Sequence, residues 1–318
     1  MVKVIAGLMG GSVASGSTKL SGPESLRPFL AMLKKHSIYE LDTARVYNAG
    51  RSEEDLGNIT EAQNDFAIAT KAPGFSPGSL SYQKVTDNCN ASLKALKQEK
   101  IDLYYFHGPD RKTPMEESLR AINDLHKAGK FARFGISNFH VTEVEEIQSL
   151  CSKHNFVRPS VYQGGYNAIG RAAESELFPV LRKYSMAFYA FSPLAGGYFS
   201  RSTAELRTPP AGSRMDQMKH FSSMYVNDLS LELHDELTVA CEKEGLTLKA
   251  GTLRWLMHHS ALREQDGVIL GASSLEQMEE NLKACEGGPL PQNVVDLYET
   301  VWKRFYDAGN SRYYSIPL

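Results

Sequence analysis

The chain contains 318 residues, of which 42% are hydrophobic and 23% are charged, and its formal net charge is −2. This composition is typical of a globular protein, and the near-neutral charge argues against nucleic acid as the main partner, because phosphate binding requires a basic surface. No apolar run reaches the roughly 18 residues of a membrane-spanning helix, so we expect no such helix and no membrane partner.

The first half of the chain alternates short apolar runs with segments whose apolar residues recur at helical spacing. The runs that predict strands are Val2–Met9, Tyr39–Asp42, Phe66–Lys71, Ile101–Phe106 and Phe131–Ile136. The segments that predict helices are Pro23–His36, Ser52–Leu56, Leu80–Leu96, Pro114–Ala128 and Thr142–Cys151. Ser52 is expected to cap its helix, and Gly129 is expected to end the helix that precedes it.

The second half continues the same alternation, with a polar loop expected from about Ser192 to Tyr225. The predicted strands are Ser160–Gln163, Met186–Phe191 and Val268–Leu270. The predicted helices are Glu174–Tyr184, Leu229–Gly245, Lys249–His259, Leu275–Cys285 and Asn293–Asp307.

Eight strand-then-helix units without a linker predict a (β/α)8 TIM barrel, an α/β fold, as one domain over residues 1–318. Extra C-terminal helices and the long loop after strand seven complete the predicted architecture. The alternative is an open doubly wound sheet, but that fold usually carries G-x-G-x-x-G after its first strand, and this motif is absent here.

The four cysteines are scattered, and none has the spacing of a disulfide framework or a zinc site. Scattered thiols in a chain of this length indicate a reducing compartment, so we expect a cytoplasmic protein without a metal site.

Four chemically active side chains follow successive apolar runs. Asp42 ends the second predicted strand and Tyr47 follows it, Lys71 ends the third, and His107 follows the fourth. In a parallel barrel the C-terminal ends of the strands surround one mouth, so these side chains are expected to meet. Each residue alone is more often a turn, surface or packing residue; their joint placement favours a built site.

The chemistry of this group fits proton delivery to a carbonyl oxygen. A lysine ammonium favours the phenolate form of a nearby tyrosine and so lowers its pKa from about 10. A carboxylate would keep the lysine charged, and an imidazole would hydrogen-bond the substrate oxygen. No G-x-S-x-G elbow or carboxylate pair suggests another reaction, which makes a nicotinamide hydride the simplest missing reagent.

The chain resembles the aldo-keto reductases along nearly its whole length. The motifs that carry the resemblance are LDTARVYNAGRSEEDLG, IATKA, IDLYYFHGPD, GKFARFGISNF, VYQGGYNAIGR, FYAFSPLAGG and VILGASSLEQMEENL. Within the family, SELFP, LRWLMHHS and ASSLEQMEENL look closest to the aflatoxin aldehyde reductase branch. The resemblance implies NADPH-dependent reduction of aldehydes, dicarbonyls and ketones, and it allows a homodimer.

The resemblance also implies roles for individual residues. Tyr47 would be the general acid, Lys71 would tune it, Asp42 would hold Lys71, and His107 would orient the carbonyl. The residues implied for the cofactor NADPH are Ser137, Asn138 and Gln163 at the carboxamide, Phe191 on the nicotinamide ring, Ser192, Leu194 and Gly196 near the pyrophosphate, and Ser273, Ser274, Gln277 and Asn281 at the adenosine. Ser273 and Ser274 would serve equally as helix caps.

Some positions depart from the family pattern. Gln277 stands where many relatives place an arginine for the 2′-phosphate, although the aflatoxin aldehyde branch also resembles this chain in having glutamine there. Arg201 or Arg312 would either supply that charge or be a solvated surface residue. Arg45 stands where an apolar residue is expected, and would either affect substrate charge or point outward. The loop after Ser192 and the C-terminal tail also differ from the named branch, so its substrate preference is not carried over.

Two other functions remain open from sequence. Potassium-channel β subunits resemble the same family, so an NADPH-binding sensor or regulatory subunit with slow or no turnover is the second hypothesis. A barrel lyase or isomerase that uses no nicotinamide is the third. Turnover of small carbonyls with a nicotinamide cofactor would separate the first hypothesis from both.

Overall fold

Eight parallel strands close into a barrel in the computed structural model, which describes residues 2–9, 20–217 and 224–310. The strands are β1 (Lys3–Gly7), β2 (Glu40–Asp42), β3 (Ala67–Ala72), β4 (Ile101–Phe106), β5 (Phe131–Ser137), β6 (Pro159–Gly165), β7 (Ala187–Phe191) and β8 (Gly267–Gly271). Each strand pairs with its neighbours in the chain, and β8 pairs with β1 to close the barrel. The predicted (β/α)8 TIM barrel is therefore confirmed.

Helices follow the strands and form the outer layer. The α-helices are Pro23–Lys35, Arg51–Gly57, Thr60–Asp65, Tyr82–Leu96, Met115–Lys127, Val141–His154, Ala173–Glu176, Phe178–Lys183, Thr203–Arg207, Arg214–Gln217, Asp228–Lys243, Leu248–His258, Leu275–Cys285 and Gln292–Asp307. Two 3₁₀ helices, Tyr47–Gly50 and Ala195–Ser200, lie in the loops after β2 and β7. None of the helices in the described ranges is long and apolar enough to cross a membrane.

Two apolar clusters form the core. The barrel interior is filled by Ile5, Ala69, Leu103, Tyr105, Val161, Tyr189 and Ile269. A larger cluster lies between the strands and the helices and includes Phe106, Phe134, Phe188 and Trp255. Gly135 of β5 makes room for the Tyr105 ring, because a Cβ there would lie 2.4 Å from it. The interior packing therefore depends on which strand positions are small.

Charged side chains close the opposite end of the barrel, where the strands begin. Lys3 Nζ lies 2.5 Å from Glu40 Oε1, and Arg133 Nη2 lies 2.5 Å from Asp102 Oδ2. The Tyr189 hydroxyl donates to Glu40 Oε2 at 3.3 Å and accepts from Arg133 at 3.2 Å. We call these five residues the N-terminal ion network.

All four cysteines are buried as free thiols. Burial raises the pKa of Cys89, Cys151 and Cys285 to about 12 and also raises the pKa of Cys241. Each thiol is therefore fully protonated at neutral pH. In the ranges that the structure describes, no group of His, Cys, Asp and Glu is arranged to hold a metal ion.

The prediction of one continuous helix over Glu174–Tyr184 is wrong. The structure has two short helices there, Ala173–Glu176 and Phe178–Lys183, separated at Leu177. Pro179 lies in the first turn of the second helix, and a proline has no N–H to donate to the turn before it. A proline is tolerated where a helix begins, so a new helix starts instead of the first one continuing.

Two further local predictions are corrected. Ser52 does not cap its helix but lies inside Arg51–Gly57, where its hydroxyl is 2.7 Å from Thr43 Oγ1, and Gly50 precedes the helix at φ 87°. The segment expected to be a plain polar loop after β7 contains a 3₁₀ helix and two short α-helices. One stretch of it, residues 218–223, lies outside the described residues.

Candidate active site

The four predicted residues meet at the C-terminal mouth of the barrel. Asp42 is the last residue of β2, Lys71 is the penultimate residue of β3, and His107 directly follows β4. Tyr47 opens the 3₁₀ helix Tyr47–Gly50 and is half-buried, whereas Lys71 is fully buried. The barrel thus gathers residues that are up to 65 positions apart in the chain.

Lys71 is the centre of this group. Its Nζ donates to Asp42 Oδ2 at 2.7 Å, to the Thr43 carbonyl oxygen at 2.8 Å and to the Tyr47 hydroxyl at 3.4 Å. Burial, the largest effect, acts to lower the pKa of Lys71, but Asp42 and Tyr47 together outweigh it and the net pKa is raised. Lys71 is therefore a charged ammonium held beside the phenol.

His107 is a neutral imidazole in this environment. Burial and then the positive charge of Lys71 lower the pKa of His107 from 6.5 to about 3. Its ring packs edge-on against the rings of Tyr47 at 5.7 Å and Phe75 at 5.4 Å between centroids. A neutral imidazole can donate a hydrogen bond from one ring nitrogen while it accepts at the other.

Phe75 contacts His107, and the sequence analysis did not predict this contact. It is 51% exposed, it adopts φ 70°, and its ring occupies the space where a side chain on Gly108 would lie. A Cβ on Gly74 would likewise lie 2.2 Å from the Gly108 carbonyl oxygen. Gly74 and Gly108 are the sequence features that permit this close approach. The approach brings the Phe75 ring beside His107.

Asp42, Tyr47, Lys71 and His107 are called the tetrad from here on. A second set of polar side chains borders the tetrad at β5 and β6. Ser137 and Gln163 are paired across the two strands and are both buried. Gln163 Nε2 donates to Asp42 Oδ1 at 2.7 Å, and Asn138 Nδ2 donates to the His107 carbonyl oxygen at 2.9 Å. Two of the three predicted carboxamide-binding residues are therefore bonded directly to the tetrad, and the third, Ser137, accepts from Asn138 Nδ2 at 3.0 Å.

The end of β7 turns sharply at the same mouth. Phe191 is the last strand residue and is half-buried, and Ser192 adopts φ 55°, a left-handed conformation that is unfavourable for serine. Leu194 follows, and Gly196 has φ 67° within the 3₁₀ helix. Phe191 packs against the apolar cluster that fills the barrel interior.

Three of the four residues predicted for the adenosine, Ser273, Ser274 and Gln277, are hydrogen-bonded to one another at the start of the helix after β8. The Ser274 side chain caps Leu275–Cys285 by accepting from the Gln277 N–H at 3.3 Å. The Gln277 side-chain oxygen accepts from the Ser273 N–H at 3.1 Å and from its hydroxyl at 2.8 Å. Asn281 is buried one turn further along. The predicted helix cap is thus present at Ser274.

The three arginines that the sequence analysis considered differ in what the structure shows of their surroundings. Arg45 Nη1 donates to the buried Glu53 carboxylate at 2.7 Å, a structural partner that the sequence did not indicate. Arg201 lies beside Gly197, where a Cβ would be 3.4 Å from Arg201 Nε. Arg312 lies outside the described residues.

Comparison with known proteins gives a family and close relatives. The family model described as "Aldo/keto reductase family" matches residues 6–303. An aldo-keto reductase of Pseudocercospora fijiensis is 40% identical over 86% of this chain and 96% of its own length. Human aldo-keto reductase family 7 member A3 is 39% identical over 89% and 90%, respectively. Human aflatoxin B1 aldehyde reductase member 2 is 38% identical over 89% of this chain and 83% of its own.

Proposed function

Because the chain belongs to the aldo/keto reductase family and is an oxidoreductase of carbonyl compounds, we propose that it reduces aldehydes, dicarbonyls and ketones to alcohols with NADPH. When bound, NADPH supplies the hydride that attacks the carbonyl carbon. The observation that carries the proposal is the buried Lys71 ammonium, bonded to Asp42 and 3.4 Å from the Tyr47 hydroxyl.

Tyr47 delivers the proton in this proposal. Its hydroxyl donates to the carbonyl oxygen, and as negative charge develops there the proton moves to that oxygen. Lys71 stabilises the phenolate that remains, because its charge is fully buried and lies beside the phenol. Asp42 keeps Lys71 charged and fixes its position.

His107 orients the substrate in this proposal. A neutral imidazole can donate a hydrogen bond to the carbonyl oxygen without competing with Tyr47 for the transferred proton. The ring of Phe75 lies against His107 and would border the substituent of the substrate. Together these contacts would fix the carbonyl relative to the Tyr47 hydroxyl.

The residues around the mouth suit a nicotinamide dinucleotide. Ser137, Asn138 and Gln163 provide hydroxyl and amide groups for the carboxamide, and Phe191 offers its aromatic face to the ring. Gln163 is bonded to Asp42, so the groups that would hold the nicotinamide are fixed relative to the tetrad.

The remaining contacts would extend from β7 to β8. Ser192, Leu194 and Gly196 lie on the turn after β7 and would approach the pyrophosphate. The Ser273, Ser274, Gln277 and Asn281 group would hold the adenosine, where the N-terminus of Leu275–Cys285 favours negative charge. Arg201, beside Gly197, is the cation that we assign to the phosphates.

Tyr47→Phe tests the proposal. Since general-acid catalysis is worth roughly 100- to 10,000-fold, aldehyde-dependent oxidation of NADPH should fall by at least about 100-fold while NADPH still binds. Tyr39→Phe is the matched control, because Tyr39 is an exposed residue before β2, at the other end of the barrel. A Tyr47→Phe rate within threefold of wild type would contradict the assigned role.

A screen of aldehydes, dicarbonyls and ketones with NADPH and NADH tests the reaction class. Turnover that prefers NADPH supports the reductase. Tight NADPH retention with negligible turnover of every carbonyl would favour the sensor hypothesis, and failure to bind either cofactor would favour a barrel lyase or isomerase.

A further inference from the structure

Asn167 is a buried amide that joins the loop after β6 to the turn after β7. It follows β6 by two residues and is 1% exposed. Its Oδ1 accepts from the Ile169 N–H at 3.1 Å. Its Nδ2 donates to the Ser192 carbonyl oxygen and to the Tyr225 hydroxyl, both at 3.2 Å. Both ends of the amide are therefore used.

The Ser192 carbonyl lies in the most constrained part of the β7 turn. Ser192 adopts φ 55°, and its carbonyl oxygen also accepts from the Ala195 N–H at 2.9 Å. One residue earlier, the Phe191 carbonyl oxygen accepts from the Tyr166 N–H at 3.2 Å. Two consecutive residues after β6 thus hold two consecutive carbonyls at the end of β7.

An unfavourable backbone conformation persists only where its surroundings hold it. Asn167 supplies a side-chain hydrogen bond that does so for Ser192, from a buried position where water does not compete. The same amide reaches Tyr225, at the far end of the long loop after β7. The turn and the loop are therefore fastened to one side chain.

We infer that Asn167 is a positioning residue for the cofactor site: through Nδ2 it holds the Phe191–Ser192 turn in the conformation that receives the nicotinamide and pyrophosphate. This inference rests on the proposed function, since it concerns NADPH binding at that turn. It also makes a separate statement about the protein without cofactor, namely that Nδ2 keeps the Ser192–Ala195 turn closed.

Asn167→Asp separates this role from a purely local one. Aspartate keeps the acceptor for Ile169 but, when ionised, has no hydrogen to donate to Ser192. Loss of about one hydrogen bond, with a carboxylate facing a carbonyl, predicts a roughly tenfold or greater rise in the Kd of NADPH. Asn88→Asp is the matched control, because the half-buried Asn88 on the outer helix Tyr82–Leu96 also donates from Nδ2 to a backbone carbonyl, that of Lys84 at 2.8 Å, away from the barrel mouth.

Two measurements do not depend on turnover. Hydrogen exchange without cofactor should show faster exchange at the Ala195 amide in Asn167→Asp than in wild type. In a pH series with NADP⁺, the affinity deficit of the variant should shrink as the pH falls and the carboxyl is protonated, because a carboxylic acid can again donate. A residue that only shaped its own turn through Oδ1 would produce neither change.

The outcomes distinguish this inference from the proposed function. If wild type binds NADPH and Asn167→Asp binds it equally well with unchanged Ala195 exchange, the inference alone is overturned. If wild type fails to bind NADPH at all, both are overturned. If Asn167→Asp fails to fold, Tyr225→Phe, which frees one of the two Nδ2 contacts, should still weaken NADPH binding by a smaller factor, and an unchanged Kd there would overturn the inference.

Discussion

The Lys71 ammonium is fully buried, and its charge depends on a single carboxylate 2.7 Å away. Most lysines lie at the surface, where the partner of the ammonium is water. Here Asp42 and the Thr43 carbonyl take that place, which leaves the third direction of the ammonium for Tyr47. The structure therefore fixes a positive charge beside the Tyr47 phenol, as the proposed proton delivery requires.

Asp42→Asn should destabilise the protein strongly. Removing one partner of a buried ion pair leaves an uncompensated charge and costs about 3–5 kcal/mol. Asp65→Asn is the matched control, because the Lys34–Asp65 pair is exposed and exposed ion pairs contribute little to stability. Urea unfolding measures both variants, and an equal loss in the two would contradict the buried-charge argument.

His107 should make stability depend on acid pH. Its folded-state pKa of about 3 lies below the unfolded value of 6.5, so between these values the unfolded chain binds a proton that the folded chain does not. The free energy of unfolding therefore falls as the pH drops from about 6.5 towards 3. Above pH 6.5 His107 is neutral in both states, and the stability is not reduced by its protonation.

His107→Asn should remove that part of the acid sensitivity. Urea unfolding at pH 7, 5 and 4 should show a smaller loss for the variant than for wild type. Equal losses in the two proteins would mean that His107 titrates normally in the folded state.

The 3₁₀ helix that carries Tyr47 is held to β3 by a buried carboxylate. Glu53 Oε1 accepts from the Thr70 hydroxyl at 2.6 Å, and Glu53 Oε2 accepts from Arg45 at 2.7 Å. Arg45 also donates to the Gly50 carbonyl oxygen at the end of the 3₁₀ helix. The element that presents the phenol is thus tied to the residue before Lys71.

Arg45→Leu should lower the free energy of unfolding, because it removes the ion pair with Glu53. It leaves the Glu53 carboxylate buried without its cation, and we expect a loss of about 2–4 kcal/mol, since Arg45 is partly exposed. Adding Glu53→Gln to Arg45→Leu removes the uncompensated charge and should restore part of the loss. Chemical denaturation of the single and double variants measures this, and a double variant less stable than Arg45→Leu would contradict it.

Regular elements could be predicted from sequence, whereas short ones could not. Ile101–Phe106 and Leu275–Cys285 agree residue for residue with the structure, because a continuous apolar run and a helical period are visible over their length. Thr60–Asp65 and Thr203–Arg207 were not predicted, since five or six residues contain too little period to recognise. Their formation depends on the surrounding fold.

The site divides in the same way. Asp42, Lys71 and His107 lie at or next to strand ends, so strand assignment alone places them together. The Arg45–Glu53 pair and the Asn167–Ser192 bond join loops whose paths no local pattern specifies. The placement of side chains at strand ends was predictable, whereas the contacts that hold the loops required the structure.

The two ends of the barrel have separate tasks. The N-terminal ion network joins β1, β2, β4, β5 and β7 where these strands begin, and the tetrad lies where the strands end. In TIM barrels the active site lies at the end where the strands finish, whereas residues at the end where the strands begin contribute to stability.

Arg133→Met should therefore separate stability from catalysis. The charged members of the network are each about one-third exposed, so the expected loss of unfolding free energy is only about 1 kcal/mol. Carbonyl-reduction kinetics should stay within twofold of wild type. A melting curve and a steady-state assay on the same sample measure both, and a large drop in kcat with unchanged stability would contradict the assignment.

The burial of the four thiols has a consequence for a protein that handles reactive carbonyls. Aldehydes and dicarbonyls are electrophiles, and the form of cysteine that attacks them is the thiolate. With pKa values near 12 for three of the thiols and no cysteine at the surface, the folded chain offers such compounds almost no sulfur nucleophile. The packing of the outer layer thereby removes the cysteines from the groups of the folded chain that such compounds would modify.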